Sequence, residues 1–185
     1  MMLSARKISK AYDHPVLTDF TYQFPEKGLI LIRGASGCGK TTLLRILAGL
    51  ESPDNGTLTD REKAKVSCVF QEPHLVPHLS VLSNVLLVKK TKDKARAMQL
   101  LSELGLEAEA DKFPDELSGG MKLRVAIARS LYYGGELYLW DEPTKELDPE
   151  NRAKVERIIA KLSQQACVVA VTHDPQLTSE NEIRF

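Results

Sequence analysis

The chain has 185 residues, enough for one domain whose core needs no disulfide or metal staple. Its 43% apolar and 27% charged residues are an ordinary globular balance and exclude wholesale disorder. Lys plus Arg and Asp plus Glu both total 25, so the net charge of zero gives no support to nucleic-acid binding driven by bulk charge.

Strands dominate the first thirty residues. Phe20, Tyr22 and Phe24 alternate with Asp19, Thr21 and Gln23, the period of a half-buried strand. After Gly28, the wholly apolar run Leu29-Ile30-Leu31-Ile32 predicts a parallel strand covered on both faces. A glycine-rich loop follows, and then a helix from Lys40 that stops at Gly49. Residues 53–65 read as a polar, turn-rich connection to a second short strand, Val66 to Phe70. Residues 72–90, with prolines at 73 and 77, read as irregular with one short helix. Ala95, Met98, Leu101 and Leu104 recur at spacings of three, which predicts a helix over 92–104 closed by Gly105. Another helix is expected over 121–133 and a buried strand over 137–140. Asp148-Pro149 opens a helix with Val155, Ile158, Ile159 and Leu162 on one face. Cys167 to Val171 is the last central strand, and Ile183 to Phe185 a terminal one. Strands alternating with helices imply an α/β fold with a mostly parallel sheet in a single domain, 1–185.

Cys38, Cys68 and Cys167 are too few and too scattered for a disulfide framework or a zinc cluster, and they fit a reducing compartment. No apolar stretch approaches the roughly 18 residues of a membrane span, and Met1 to Arg6 lacks a signal-peptide core. The expectation is a cytosolic chain that reaches a membrane only through a partner.

Gly34-Ala35-Ser36-Gly37-Cys38-Gly39-Lys40-Thr41 matches the phosphate loop G-x-x-x-x-G-K-[ST] in full, and Thr42 continues it into the helix. Its glycines let backbone N–H groups nest around phosphate oxygens, and the helix aims its positive end at the same place. Lys40 is expected to reach the β and γ phosphates and Thr41 to ligate Mg²⁺, with Cys38 a small filler. This much leaves kinases, GTPases and motor ATPases open. A buried strand ending in Asp141-Glu142 supplies the acidic partner: Asp141 to hold Mg²⁺, Glu142 to polarise the attacking water. A GTPase would need an Asn-Lys-x-Asp motif, and none occurs.

Leu117-Ser118-Gly119-Gly120-Met121, followed by Arg124, narrows the class. It resembles the signature motif of the ATP-binding cassette (ABC) ATPases, which other phosphate-loop families lack. The family's remaining motifs follow in order over nearly the whole chain. Tyr12 resembles the aromatic that stacks on adenine, and Gln71 the glutamine of the Q-loop, a nucleotide and Mg²⁺ contact. Asp148 resembles the D-loop aspartate and His173 the switch histidine. Each has a plainer reading too: Tyr12 a core tyrosine, Gln71 a polar residue after a strand, Ser118 and Asp148 helix N-caps, His173 a structural histidine. His14, His74 and His78 show no ligand spacing and read as surface or loop residues.

The resemblance implies a phosphate-loop core with a small antiparallel β subdomain and a helical subdomain over about 72–133. It implies two copies packed head to tail around two ATP, each held by the phosphate loop of one copy and Ser118, Gly119 and Gly120 of the other. Lys40, Glu142 and His173 become the catalytic set, and Gln71 passes the movement to transmembrane permease subunits. Met121 and Leu123 stand where the family more often has Gln, and Lys145-Glu146 replaces smaller residues before Leu147-Asp148. The motif Leu117 to Met121 resembles the branch importing nitrate, sulfonates and taurine, and the Gln71 to Pro77 segment also resembles lipoprotein and macrolide exporters. Only 31 positions separate Lys40 from Gln71, which suggests a trimmed β subdomain, and no carboxy-terminal regulatory domain is expected. A soluble cassette ATPase of repair or translation, or a non-hydrolysing nucleotide-binding module, is the alternative.

Overall fold

The apolar run at 29–32 becomes strand β3 (Gly28–Arg33), flanked on both sides by parallel neighbours. The structure is a computed structural model that describes residues 3–60 and 64–185. Met1 and Met2, and positions 61–63 of the expected connection, lie outside the described residues. Among the described residues the other strands and α-helices are β1 (Ser4–Ala11), β2 (Pro15–Gln23), α1 (Lys40–Ala48), β4 (Asn55–Thr59), β5 (Val66–Val69), α2 (Val81–Leu86), α3 (Lys94–Glu103), α4 (Gly119–Tyr133), β6 (Leu137–Asp141), α5 (Pro149–Ser163), β7 (Cys167–Val171) and β8 (Asn181–Arg184), with short 3-10 turns at Glu107–Glu109 and Pro114–Glu116.

Among the described residues the strands form a parallel sheet of five in the order β5-β6-β7-β3-β8, beside an antiparallel sheet of three in the order β2-β1-β4. Successive residues of a strand face opposite ways, so the parallel strands feed two separate cores. Ile30, Ile32, Leu139, Val169 and Val171 pack with α1 and the antiparallel sheet. Leu31, Tyr138, Trp140, Val168 and Ala170 pack with α2–α5.

One expectation is corrected. Residues 55–59 are not part of a turn-rich connection but strand β4, paired antiparallel with β1. Only Leu58 of β4 is even partly buried, so the segment carries no apolar alternation from which a strand can be read. Helix α4 also begins two residues before the expected start, because Ser118 caps it by accepting from Met121 N–H at 3.3 Å.

A buried polar link ties α4 to the sheet. Ser130 Oγ lies 2.7 Å from Ser67 Oγ and accepts from Trp140 Nε1 at 3.1 Å. Ser130→Ala leaves the fully buried indole N–H without that acceptor, an expected cost of about 1–3 kcal/mol. Thermal denaturation should show it as a lower Tm, by about 2–4 °C for each kcal/mol.

Candidate active site

Helix α1 differs from the other helices in how it begins. Ser80, Asp93, Ser118 and Asp148 each cap the helix they precede with a side-chain oxygen. Gly39 before α1 offers no side chain, and no acid stands in the first turn. The positive end of α1 is therefore left to whatever anion enters the loop. Gly39 has φ 100°, and a Cβ there would collide with the Val16 carbonyl oxygen of β2. That close approach brings the start of β2, and the turn holding Tyr12, up to the phosphate loop.

Lys40 is only 7% exposed. Its ammonium donates to the carbonyl oxygens of Gly34 at 2.9 Å and Ala35 at 2.7 Å, with Cys38 Sγ 3.7 Å away. Next to it, Thr41 Oγ1 donates to Asp141 Oδ2 at 2.7 Å, joining the start of α1 to the end of β6. Burial raises the pKa of Asp141, while the Thr41 hydrogen bond and the nearby charge of Lys40 pull it back.

Glu142 follows with φ 54°, a left-handed backbone that a non-glycine residue adopts only when its surroundings hold it there. Its N–H donates to Val171 O at 2.9 Å, which fixes the residue to the end of β7. Its carboxylate accepts from His173 N–H at 3.3 Å and lies 3.6 Å from His173 Nε2. A carboxylate and an imidazole are thus side by side. Gln71 is exposed after β5 and lines a cleft of about 180 Å³ with Glu142, Lys122, Lys145, Glu146 and Gly119. Thr41 and Asp141, the other two expected Mg²⁺ contacts, do not line that cleft.

Ser118, Gly119 and Gly120 open α4, and the turn containing Glu146 packs against them within the same chain. A Cβ on Gly120 would come within 3.1 Å of Glu146 O and Leu147 Cδ2, and one on Gly119 within 3.0 Å of Glu146 Oε2. Asp148 caps α5 by accepting from Asn151 N–H at 2.9 Å, which lowers its pKa. Tyr12 is 55% exposed, so the core-tyrosine reading fails for it.

Residues not singled out in the sequence hold these loops. Asp174 accepts from Thr144 Oγ1 at 3.0 Å and lies 3.4 Å from Arg152 Nε, joining the loop after β6 to the loop after β7. Arg33 donates to Asp174 O at 2.9 Å from the end of β3. Arg129 of α4 donates to Pro73 O at 2.7 Å and His74 O at 2.9 Å, just past Gln71. The acid directly after His173 was the one visible hint of this network.

An uncapped helix end, a buried lysine, and two successive acids, one ending β6 and one just after it, mark a phosphate-loop ATPase. The ABC transporter family model matches residues 17–145, and the chain belongs to that family. It is 39% identical over 181 residues to the aliphatic sulfonates import ATP-binding protein of Pseudomonas syringae pv. syringae, covering 93% of this chain and 67% of that protein. It is 36% identical over 205 residues to the macrolide export ATP-binding/permease protein of Pasteurella multocida, covering 96% of this chain and 32% of that protein. Among solved structures, a dimeric ATP-binding cassette in a post-hydrolysis state with ADP and Pi superposes with a TM-score of 0.89 at 28% identity, covering 99% of this chain and 94% of that one. The cassette-ATPase reading stands over the repair, translation and non-hydrolysing alternatives. Among the described residues, no helix is long and apolar enough to cross a membrane.

Asp141 yields a pH test. Its folded pKa lies above its ordinary value of 3.8, so the native state holds the proton longer than the unfolded chain. Stability conferred by the neutral form is lost as pH rises from about 3.8 through the folded pKa. Nucleotide-free Asp141→Asn should therefore melt higher than wild type at pH 7, with the difference shrinking as the pH is lowered toward 4. Melting curves across that range check it.

Proposed function

We propose that this chain is the ATP-hydrolysing subunit of a membrane transporter, acting as a head-to-tail pair around two ATP and working through permease subunits. The observation that carries the reading is the convergence of Lys40, Thr41, Asp141, Glu142 and His173 at the free end of α1. The family match and the relatives that are ATP-binding transport proteins support it.

ATP enters with its β and γ phosphates in the loop Gly34 to Gly39, and Lys40 exchanges the carbonyls of Gly34 and Ala35 for phosphate oxygens. Glu142 accepts the proton of a water aligned on the γ phosphorus, and His173 holds the carboxylate in place. The oxygen–phosphorus bond to ADP breaks as the new one forms. Thr41 and Asp141 are hard oxygen donors 2.7 Å apart, and Asp141 carries a buried charge in need of compensation, a set that fits Mg²⁺. Held there, Mg²⁺ would neutralise charge on the phosphate oxygens. Ser118, Gly119 and Gly120 serve the nucleotide of the other copy, with Asp148 at the contact and Tyr12 under the base. Gln71, as a nucleotide and Mg²⁺ contact, reports the state of the γ phosphate to the helical subdomain, about residues 72–133. Leu50 and Leu87 are exposed near a groove of about 430 Å³ lined in part by Cys68, Val88 and Tyr133. That face suits a permease segment, which would keep the subunit on the inner side of the membrane.

Lys40→Ala should weaken ATP binding by about tenfold or more, read with a fluorescent analogue. The loop thiol gives an independent readout. Burial pushes the Cys167 thiol up to about 12 and leaves it inert, whereas Cys38 is partly exposed inside the loop. Maleimide labelling of Cys38, followed by mass spectrometry, should slow when ATP is present.

Glu142→Gln should lower the hydrolysis rate by about 10²- to 10⁴-fold and trap an ATP-bound dimer on size-exclusion chromatography. Ser118→Arg added to it should abolish the dimer. If the double variant still dimerises on ATP, the signature segment is not the second half of the site.

A further inference from the structure

We propose that Glu51 is a positioning residue that holds the ring of Tyr12 as a preformed platform for the nucleotide base, with Lys10 and Asp54 fixing the tether from beneath. This rests on the reading of Tyr12 as the base-stacking residue.

Tyr12 sits in the turn between β1 and β2, with its ring mostly in water. An exposed aromatic of this kind samples several rotamers, and ordering it when a ligand arrives costs affinity. Here the ring is already anchored. Its hydroxyl donates to Glu51 Oε1, in the connection that follows α1. Lys10 Nζ lies 5.7 Å from the ring centroid and 3.7 Å from the same Glu51 oxygen. Lys10 also reaches Asp54 Oδ1 at 2.8 Å and Ser52 O at 3.1 Å, while Asp54 Oδ2 accepts from Ala11 N–H at 2.8 Å.

The contacts run in one direction. Asp54 clamps the end of β1, Lys10 bridges Asp54 to Glu51, and Glu51 takes the hydroxyl of Tyr12. The side chains of Lys10 and Glu51 are only 16% and 19% exposed, unlike a loose surface ion pair. The hydrogen bond between Lys10 and Asp54 raises the pKa of the first and lowers that of the second, so both stay charged at neutral pH. The two loops that meet here belong to the site's own machinery. One continues into Val16, whose carbonyl abuts Gly39 of the phosphate loop, and the other leaves the far end of α1. A base stacked on Tyr12 would therefore lie on a ring referenced to the helix that binds its phosphates.

The same contacts would serve equally to staple the two loops together, with no bearing on the base. Comparing ATP with inorganic tripolyphosphate, both with Mg²⁺, separates the two roles, because only ATP carries a base. Tyr12→Phe keeps the ring and removes the tether, Glu51→Ala removes it from the other side, and Glu51→Gln keeps an acceptor. Calorimetry should show Tyr12→Phe and Glu51→Ala weakening ATP by about three- to tenfold, with tripolyphosphate unchanged. Glu51→Gln should restore most of the loss, and the double variant Tyr12→Phe with Glu51→Ala should be no weaker than either single one. Tyr12→Ala should lose about tenfold or more for ATP alone. Wild-type ATP affinity in Tyr12→Phe and Glu51→Ala, with the loss confined to Tyr12→Ala, overturns the tether and leaves the platform standing. An unchanged Tyr12→Ala removes the base-stacking role itself. Equal losses for ATP and tripolyphosphate reduce the cluster to a loop staple.

Discussion

A buried cation without a carboxylate on it is the constraint around which this protein is arranged. Lys40 is nearly covered, and its ammonium is satisfied by two carbonyl oxygens of its own loop. Hydrogen bonds to carbonyls meet its donors without placing an anion against it. The free end of α1 adds positive potential of the same sign. Asp141 stands near enough to feel Lys40, yet its own carboxylate is turned to Thr41. The region favours an anion, the charge that a phosphate group carries.

The parallel sheet makes that concentration possible. Adjacent strands β6, β7 and β3 end together, so Asp141-Glu142, His173 and the phosphate loop converge although they are far apart in sequence. Strand ends in such a sheet carry loops outward, and loops need ties. Asp174 supplies several: it takes Thr144, lies near Arg152 and has its carbonyl held by Arg33. Glu142 bears the cost in its left-handed backbone, a conformation held by Val171 O on one side and the loop of His173 on the other.

What was readable in the sequence follows the same division. Elements whose residues face two cores, such as 29–32 and 167–171, announce themselves by unbroken apolar runs. The loop at 34–41 is legible because its backbone geometry demands glycine and its chemistry demands lysine at one spacing. Strand β4 was not legible, since an exposed edge strand of Asn, Gly and Thr is specified by its partner β1 rather than by its own pattern. The ties through Asp174, Arg33 and Arg129 were hidden for a related reason. Each joins segments tens of residues apart through a single side chain, and no local periodicity records such a bond.

Arg129 joins the site to the helices. Its guanidinium is partly buried, which lowers its pKa, and it spends its donors on the carbonyls of Pro73 and His74. Those carbonyls belong to the segment that leaves Gln71, while Arg129 belongs to the helix that begins with the signature glycines. Arg124, four residues after Gly120 on that helix, is likewise covered and donates to Leu104 O at 2.6 Å, locking α4 to the end of α3. The segment after Gln71 is therefore bound to its neighbours by buried or partly buried guanidinium groups. Arg129 ties that segment to α4 and Arg124 ties α4 to the end of α3, so one chain of hydrogen bonds links the loop that faces Glu142 to both helices.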